Sequence, residues 1–269
     1  IEWSSWSSSN TLDVENSLPV TESLSLSHTE AKTTDSITIE FTQSDIDGDE
    51  ESGSEITWWK NGVQEPSLTG QITLSSESTS KGETWTAMVK AGDGVDVSAI
   101  ALSANVTIVN SAPTVSVTLS SNVTALGPLD LTMVTGDADG DGVETDIMWY
   151  RNGFLEGSLA GEISVPNQLL GPGQTWAVHV TPTDSDSTSG ATAIKTITVL
   201  NIEPIAQINV QNEVIWIGEQ TTLDATLSSD VDGQIVEATW SWVDIAGTIN
   251  SESGLEIQIL PPSNTVAVF

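Results

Sequence analysis

The amino-acid sequence predicts an all-β chain that is built from consecutive two-sheet sandwiches. Three observations carry this prediction: a set of motifs recurs at a fixed offset, β-branched residues alternate with polar ones, and Asn-Gly pairs separate apolar runs. No segment shows a persuasive helical period.

The repeat is the strongest of these signals. A Trp-x-Lys/Arg-Asn-Gly segment, a Gly-x-Thr-Trp segment and an Asn-x-x-Pro segment recur in one order, each 91 residues later: 58–62 and 149–153, 82–85 and 173–176, 110–113 and 201–204. Asn16-Ser-Leu-Pro19 is an earlier copy of the last motif. Several motifs in one order at one spacing indicate tandem structural units.

The strands and turns predict the type of sandwich. Stretches such as Ser36–Phe41 and Thr196–Leu200 alternate apolar and polar residues, which is typical of half-buried strands. Asn61-Gly62 and Asn152-Gly153 have the composition of tight type I′ hairpins. Short strands at about ninety residues per unit indicate a sandwich of the immunoglobulin type.

The recurring tryptophans are predicted to form the cores. We expect Trp58 and Trp149 to fill the core from the strand before the hairpin. Trp85 and Trp176 are expected to pack from a late strand of the opposite sheet. The alternative is that these four side chains form an aromatic platform for a ligand.

The third unit carries a series of motifs in a fixed order: Pro204-Ile-Ala-Gln-Ile, Gly218-Glu219, Leu223-Asp224-Ala225, Ser228-Ser229-Asp230-Val-Asp232-Gly233 and Trp240-Ser-Trp242. With these motifs it resembles a polycystic-kidney-disease (PKD) domain. The resemblance implies an immunoglobulin-like fold, a core position for Trp240, and kinship with bacterial or archaeal surface proteins. Trp242 stands where the family usually has Phe, and Val243-Asp244-Ile245 replaces its usual Gly-Asp-Gly.

The domain boundaries follow from the repeat and from Pro19, Pro113 and Pro204 at its junctions. We predict the terminal strand of a preceding or neighbouring unit at 1–17, immunoglobulin-like repeats at 18–111 and 112–202, and an incomplete PKD-like repeat at 203–269.

The charge of the chain limits its partners. Its 38 acidic and 6 basic residues give a formal net charge of −32, which disfavours nucleic acid and anionic lipid. No apolar run is long enough to cross a bilayer, so we expect no membrane insertion in this segment. The absence of cysteine excludes disulfides and thiolate metal sites.

Two aspartate clusters predict calcium sites near the junctions. The first acidic loop holds Asp45, Asp47 and Asp49, and the second holds Asp137, Asp139 and Asp141. In an immunoglobulin topology, Asp93 and Asp184 lie in another loop at the same end, so we expect each to complete a Ca²⁺ site. The alternative is turn chemistry, because Asp and Gly also favour turns.

Two sequons, Asn105-Val-Thr107 and Asn122-Val-Thr124, predict N-glycosylation in an extracellular protein. Catalysis is not expected, since the two histidines, His28 and His179, lie in different units. We expect His179 on the solvent side of a strand, because it alternates with valines.

The predicted function is structural: a non-enzymatic building block of a cell-surface stalk, surface layer or filament. Its expected partners are copies of itself or neighbouring repeats of a longer chain. Strand donation from residues 10–16 of one copy to the open third unit of the next would polymerise it. The alternative is an adhesin or a carbohydrate-binding accessory module of a larger secreted protein.

Overall fold

The computed structural model describes residues 13–211, 218–243 and 248–260. Within these residues it contains strands and four 3-10 turns but no α-helix, which confirms the all-β prediction. The chain divides into two compact units. The first comprises the chain up to Thr114 with Gly136–Glu144 and Thr183–Gly190, and the second comprises Val115–Thr135, Thr145–Pro182 and the chain from Ala191. The predicted repeat boundaries therefore differ from the units, and they stay a prediction.

The first sandwich is formed by residues 20–109. Its strands are β1 (Val20–Leu26), β2 (Glu30–Lys32), β3 (Ile37–Ser44), β4 (Glu55–Lys60), β5 (Val63–Gln64), β6 (Thr73–Leu74), β7 (Thr84–Lys90), β8 (Ala101–Leu102) and β9 (Val106–Val109). One sheet has the order β1-β3-β6, and the other has β2-β9-β7-β4-β5 with β8 beside β7. Both sheets contribute to one apolar core that includes Ile37, Leu74, Trp58 and Trp85.

The second sandwich repeats this plan. Its strands are β10 (Thr114–Leu119), β11 (Leu129–Gly136), β12 (Val143–Arg151), β13 (Phe154–Leu155), β14 (Ser164–Val165), β15 (Thr175–Asp184) and β16 (Ala193–Thr198). The sheets have the orders β10-β11-β14 and β13-β12-β15-β16. Leu129, Val165, Trp149 and Trp176 lie in their shared core.

The third group of strands is smaller. It comprises β17 (Asn209–Val210), β18 (Thr221–Asp224), β19 (Thr239–Val243), β20 (Ile249–Ser253) and β21 (Glu256–Ile259), in sheets β17-β18-β21 and β19-β20. Leu223, Trp240 and Ile257 form its core. Within the described residues β19 pairs with β20 alone. Asp244 and Ile245, where the PKD pattern is broken, lie outside those residues.

The predicted core positions of the four tryptophans are confirmed, since none is more than 1% exposed. The expectation that Trp85 and Trp176 pack from the opposite sheet is wrong. Trp85 lies on β7, which pairs directly with β4, so it shares a sheet with Trp58, and their rings meet edge to face at 6.4 Å. Trp149 and Trp176 repeat this contact at 6.5 Å. After the hairpin the chain crosses to β6 in the other sheet, and β7 then returns to the open edge of β4.

The hairpins are as predicted. Asn61 and Gly62 have φ values of 50° and 82°, and Asn152 and Gly153 have 51° and 83°. Two consecutive positive φ values define a type I′ turn, which Asn and Gly adopt at low cost.

The segment proposed as a donor strand is described only from Asp13 onward. Asp13–Glu15 are exposed and lie in no strand, whereas Asn16 and Ser17 bond to loops of the first unit. Residues 10–12 lie outside the described residues.

Candidate metal centres in the acidic loops

The first and second acidic loops have the same local structure. Asp45 Oδ1 accepts a hydrogen bond from the Asp47 backbone N–H at 2.7 Å, and Asp137 Oδ1 accepts one from Asp139 at 2.8 Å. Each turn then passes through a glycine with positive φ, 85° at Gly48 and 79° at Gly140. The Asp-x-Asp-Gly spacing therefore builds a turn that points successive carboxylates toward one point.

The carboxylates converge in both loops. One oxygen from each of Asp45, Asp47 and Asp49 lies within 4.8 Å of the others, and the same holds for the second acidic loop. Asp47 and Asp49 are exposed, whereas all three aspartates of the second loop are half-buried. Three carboxylates at this separation repel one another, and oxygen ligands at this spacing suit a hard cation such as Ca²⁺.

An unpartnered oxygen recurs at one position. Asp45 Oδ2 and Asp137 Oδ2 are both buried from solvent and have no hydrogen-bond partner among the described residues. A buried acceptor without a donor costs about 1–3 kcal/mol, more if it is charged. The same atom is unsatisfied in two independent copies of the loop, so the residues present fit a cation there.

The middle aspartate of each loop holds the linker that precedes its sandwich. Asp47 Oδ2 accepts the Ser17 backbone N–H at 2.6 Å, and Asp139 Oδ2 accepts that of Ser111 at 2.7 Å. Asp232 Oδ2 accepts the Ile202 backbone N–H at 3.1 Å in the third acidic loop, Asp230 and Asp232. These carboxylates tie each linker to the loop.

Asp93 and Asp184 accept hydrogen bonds from the linkers, and neither belongs to a group of converging carboxylates. Asp93 Oδ2 accepts the Asn16 side-chain amide at 2.9 Å, and Asp184 Oδ2 accepts that of Asn110 at 2.7 Å. Their other oxygens accept backbone N–H groups, from Val95 and Asp96 in one case and Thr188 in the other. Neither belongs to the two converging groups, so their expected role as ligands stays a prediction.

The hydrogen bonds shift the pKa of both carboxyls. The Asn16 amide, followed by the Asp96 and Val95 N–H groups, lowers the pKa of Asp93. Burial opposes such a shift at Asp184, but the bonds from Asn110 and Thr188 outweigh it and lower the pKa of that carboxyl. Both groups are therefore stabilised as anions in the folded protein.

A lysine lies at the second acidic loop, and the sequence analysis did not identify it. Lys81 Nζ donates to Asp141 Oδ2 at 2.5 Å, to Asp186 Oδ2 at 2.8 Å and to Asn110 Oδ1 at 3.1 Å. The bonds to Asp141 and then Asp186 raise the pKa of Lys81 above its ordinary value. A clue was available: Lys81 is one of only six basic residues and directly precedes the repeated Gly-x-Thr-Trp motif.

Thr33 also contacts the second acidic loop and the linker that precedes it. Thr33 Oγ1 donates to Asp139 Oδ1, and its hydroxyl also lies 2.9 Å from the Ser111 hydroxyl. Thr33 and Ser111 are both buried, so this linker is held by side chains as well as by its backbone.

The third acidic loop is a partial copy. Gln234 stands where the other loops have their third aspartate, and Asp232 Oδ1 is buried without a partner among the described residues. Asn201, the counterpart of Asn16 and Asn110, donates to its neighbour Ile202 at 2.8 Å.

The two sequons are accessible. Asn105 and Asn122 are exposed, and Asn105 Oδ1 accepts a hydrogen bond from Thr86 at 2.7 Å. His179 alternates with buried Val178 and Val180 and faces outward as predicted, and its ring lies beside that of Tyr150, with centres 4.4 Å apart and planes tilted by 37°.

Comparisons with known proteins give a likeness of architecture. No family model and no curated protein matches the chain. It is similar to the chicken interferon gamma receptor alpha chain, with 11% identity and a TM-score of 0.40 over 68% of this chain and 100% of that one. It is also similar to fibronectin(III)-like modules of Clostridium thermocellum CbhA, with 15% identity and a TM-score of 0.26 over 68% and 94% of the two chains. A two-domain fibronectin type III segment of chicken tenascin has 10% identity and a TM-score of 0.31 over 66% and 99%.

No helix among the described residues is long and apolar enough to cross a membrane. The comparisons place the chain in no family.

Proposed function

We propose that this chain is a non-enzymatic, extracellular structural protein, a repeat-array element of a cell-surface stalk, surface layer or filament. The observation that carries the proposal is the repeated linker attachment. Each described linker donates a backbone N–H to the middle aspartate of the acidic loop that follows it, through Ser17, Ser111 and Ile202. Fixing the linkers is useful in an array whose role is mechanical.

The burial of the tryptophans favours this proposal over the adhesin alternative. Trp58, Trp85, Trp149 and Trp176 are at most 1% exposed, so they are unavailable as a carbohydrate platform. The PKD-like motifs of the third unit support kinship with bacterial or archaeal surface proteins. Strand donation by residues 10–16 is one way in which copies would join.

We further propose that the acidic loops bind Ca²⁺. The support is the unpartnered, buried Oδ2 of Asp45 and of Asp137, each beside two further carboxylates. A cation there would satisfy these atoms and reduce the repulsion within each group. Glycans at the exposed Asn105 and Asn122 would be compatible with the fold.

Thermal unfolding in Ca²⁺ and in EDTA tests the calcium proposal. A ligand that binds only the native state at 100 times its Kd stabilises it by about 2.7 kcal/mol, so Ca²⁺ should raise the melting temperature. Asp45→Asn should remove part of this increase. The exposed Asp146→Asn, which removes the same charge from β12, serves as the matched control. Identical melting temperatures of the unmodified protein in Ca²⁺ and EDTA would contradict the proposal.

A further inference from the structure

We infer that Lys81 is a tethered cation of the second acidic loop, whose bond to Asp141 weakens calcium binding there relative to the first loop. The inference rests on the proposed calcium function and specifies how the two loops differ in it. It predicts that Lys81 competes with Ca²⁺ for the second loop.

The geometry of Lys81 is that of a saturated ammonium group. Its three acceptors are Asp141, Asp186 and Asn110, at 2.5, 2.8 and 3.1 Å. An ammonium has three donors, so the described contacts use all of them. The Lys81 side chain is 29% exposed and that of Asp141 is 19% exposed, so solvent screens this pair only in part.

The described part of the chain brings no such cation to the first acidic loop. Among the described residues, the other ion pairs of the first unit join Lys60 to Glu65 and Glu83, and Lys90 to Glu55. None of them reaches Asp45, Asp47 or Asp49. No described side chain therefore compensates the charge of the first loop, and a mobile cation is left to fill that role.

The lysine contact occurs at the second acidic loop and has no counterpart at the third. At the position one repeat after Lys81 the chain has Pro172, which carries no charge. The third acidic loop has Gln234 in place of a third aspartate. The lysine is thus present where a complete aspartate triad follows it. A calcium ion entering the second loop would have to displace Nζ from Asp141 or share the site with a like charge, and both weaken its binding.

Calcium titration calorimetry of the full chain tests this inference. The unmodified protein should bind Ca²⁺ tightly at the first loop, and Asp45→Asn should abolish that binding. Lys81→Met should bind a further Ca²⁺ about tenfold or more tightly than the unmodified second loop does. Asp137→Asn in the Lys81→Met background should remove the gained site. Lys195→Met, at an exposed lysine on β16, is the matched control and should change nothing.

The outcomes separate the inference from the calcium proposal. If the unmodified chain and Lys81→Met bind calcium with the same stoichiometry and affinity, the inference is wrong while the calcium proposal stands. If neither the unmodified chain nor Lys81→Met binds calcium, the calcium proposal fails, and the proposed competition fails with it. A double-mutant cycle of Lys81→Met and Asp141→Asn in EDTA then tests whether the bond between Lys81 and Asp141 stabilises the fold. Coupled effects on the melting temperature support the tethered cation, and additive effects overturn it.

Discussion

The first and second acidic loops share their aspartates, their turn and their attachment to the linker, but they differ in how their charge is compensated. Lys81 bonds to Asp141 in the second loop, and Thr33 bonds to Asp139. The described residues supply no cation to Asp45, Asp47 or Asp49, two of which are exposed. The contrast shows that one motif, repeated within one chain, is bonded to a cationic side chain at one copy and to none among the described residues at the other.

The two loops also differ in how they return to the sheet. In the first, the chain continues through Ser52, which bonds through its backbone to Gly92 at 2.8 Å and to Gly94 at 2.9 Å. In the second, β12 begins at Val143, directly after Gly142. Thr183 stands at the position that matches Gly92 in the other repeat. At the first loop the backbone of Ser52 therefore lies against Gly92, a position that holds Thr183 in the second repeat.

The largest predicted effect tests whether the two sandwiches are otherwise equivalent. Trp58 and Trp149 are fully buried and donate their indole N–H to Gln71 O and Glu162 O, at 2.9 and 2.8 Å. Each substitution to Ala should destabilise its sandwich by about 3–5 kcal/mol, because it leaves a cavity and an unpaired carbonyl. Urea unfolding followed by circular dichroism measures the loss.

The half-exposed Trp59 is the control for these substitutions, and Trp59→Ala should cost clearly less. If Trp58→Ala and Trp149→Ala differ by more than the error of the measurement, the cores are not equivalent. The two sandwiches would then differ in their cores as well as in their acidic loops.

A smaller effect is expected at the backbone contact that distinguishes the loops. A Cβ added at Gly92 would lie 2.4 Å from Ser52 O and 2.8 Å from Gly53 C, so backbone atoms must move. We expect Gly92→Ala to cost about 1–3 kcal/mol, as overpacking does in a well-packed core. The matched Thr183→Ala removes atoms from a position with no such constraint and should cost less. Equal melting temperatures for Gly92→Ala and the unmodified chain would show that the contact is unimportant.

The smallest predicted effect concerns acid sensitivity. The folded pKa values of Asp93 and Asp184 lie below the ordinary value of 3.8. The unfolded chain therefore binds more protons at low pH, so this stability is present above about pH 3.8 and is lost as the pH falls through the folded pKa values.

Asn16→Ala should reduce the difference in melting temperature between pH 5 and pH 3, because the Asn16 amide is the largest cause of the shift at Asp93. Asn110→Ala should reduce it less: backbone N–H groups remain bonded to both carboxyls, but the charge of Lys81 favours the anion at Asp184 alone. The reverse order of the two variants would contradict the stated roles of these amides.

Local spacing made several features predictable from the sequence. The type I′ turn at Asn61-Gly62 needs only two consecutive residues that tolerate positive φ, and Asp-x-Asp-Gly is likewise complete within one turn. The burial of Trp58 and Trp85 follows from strand alternation, because side chains on one face of a strand are two residues apart.

The sequence by itself thus determined the repeat, the all-β class, the core tryptophans and the convergence of three aspartates in each of the first two acidic loops. Only the tertiary structure decided that Trp85 shares the sheet of Trp58, that Asp93 and Asp184 hold linkers, and that Lys81 reaches Asp141. The physical reason is range. Turn geometry and side-chain alternation act over a few residues, whereas Lys81 and Asp141 are 60 residues apart and meet through the order of the strands and the path of the linker.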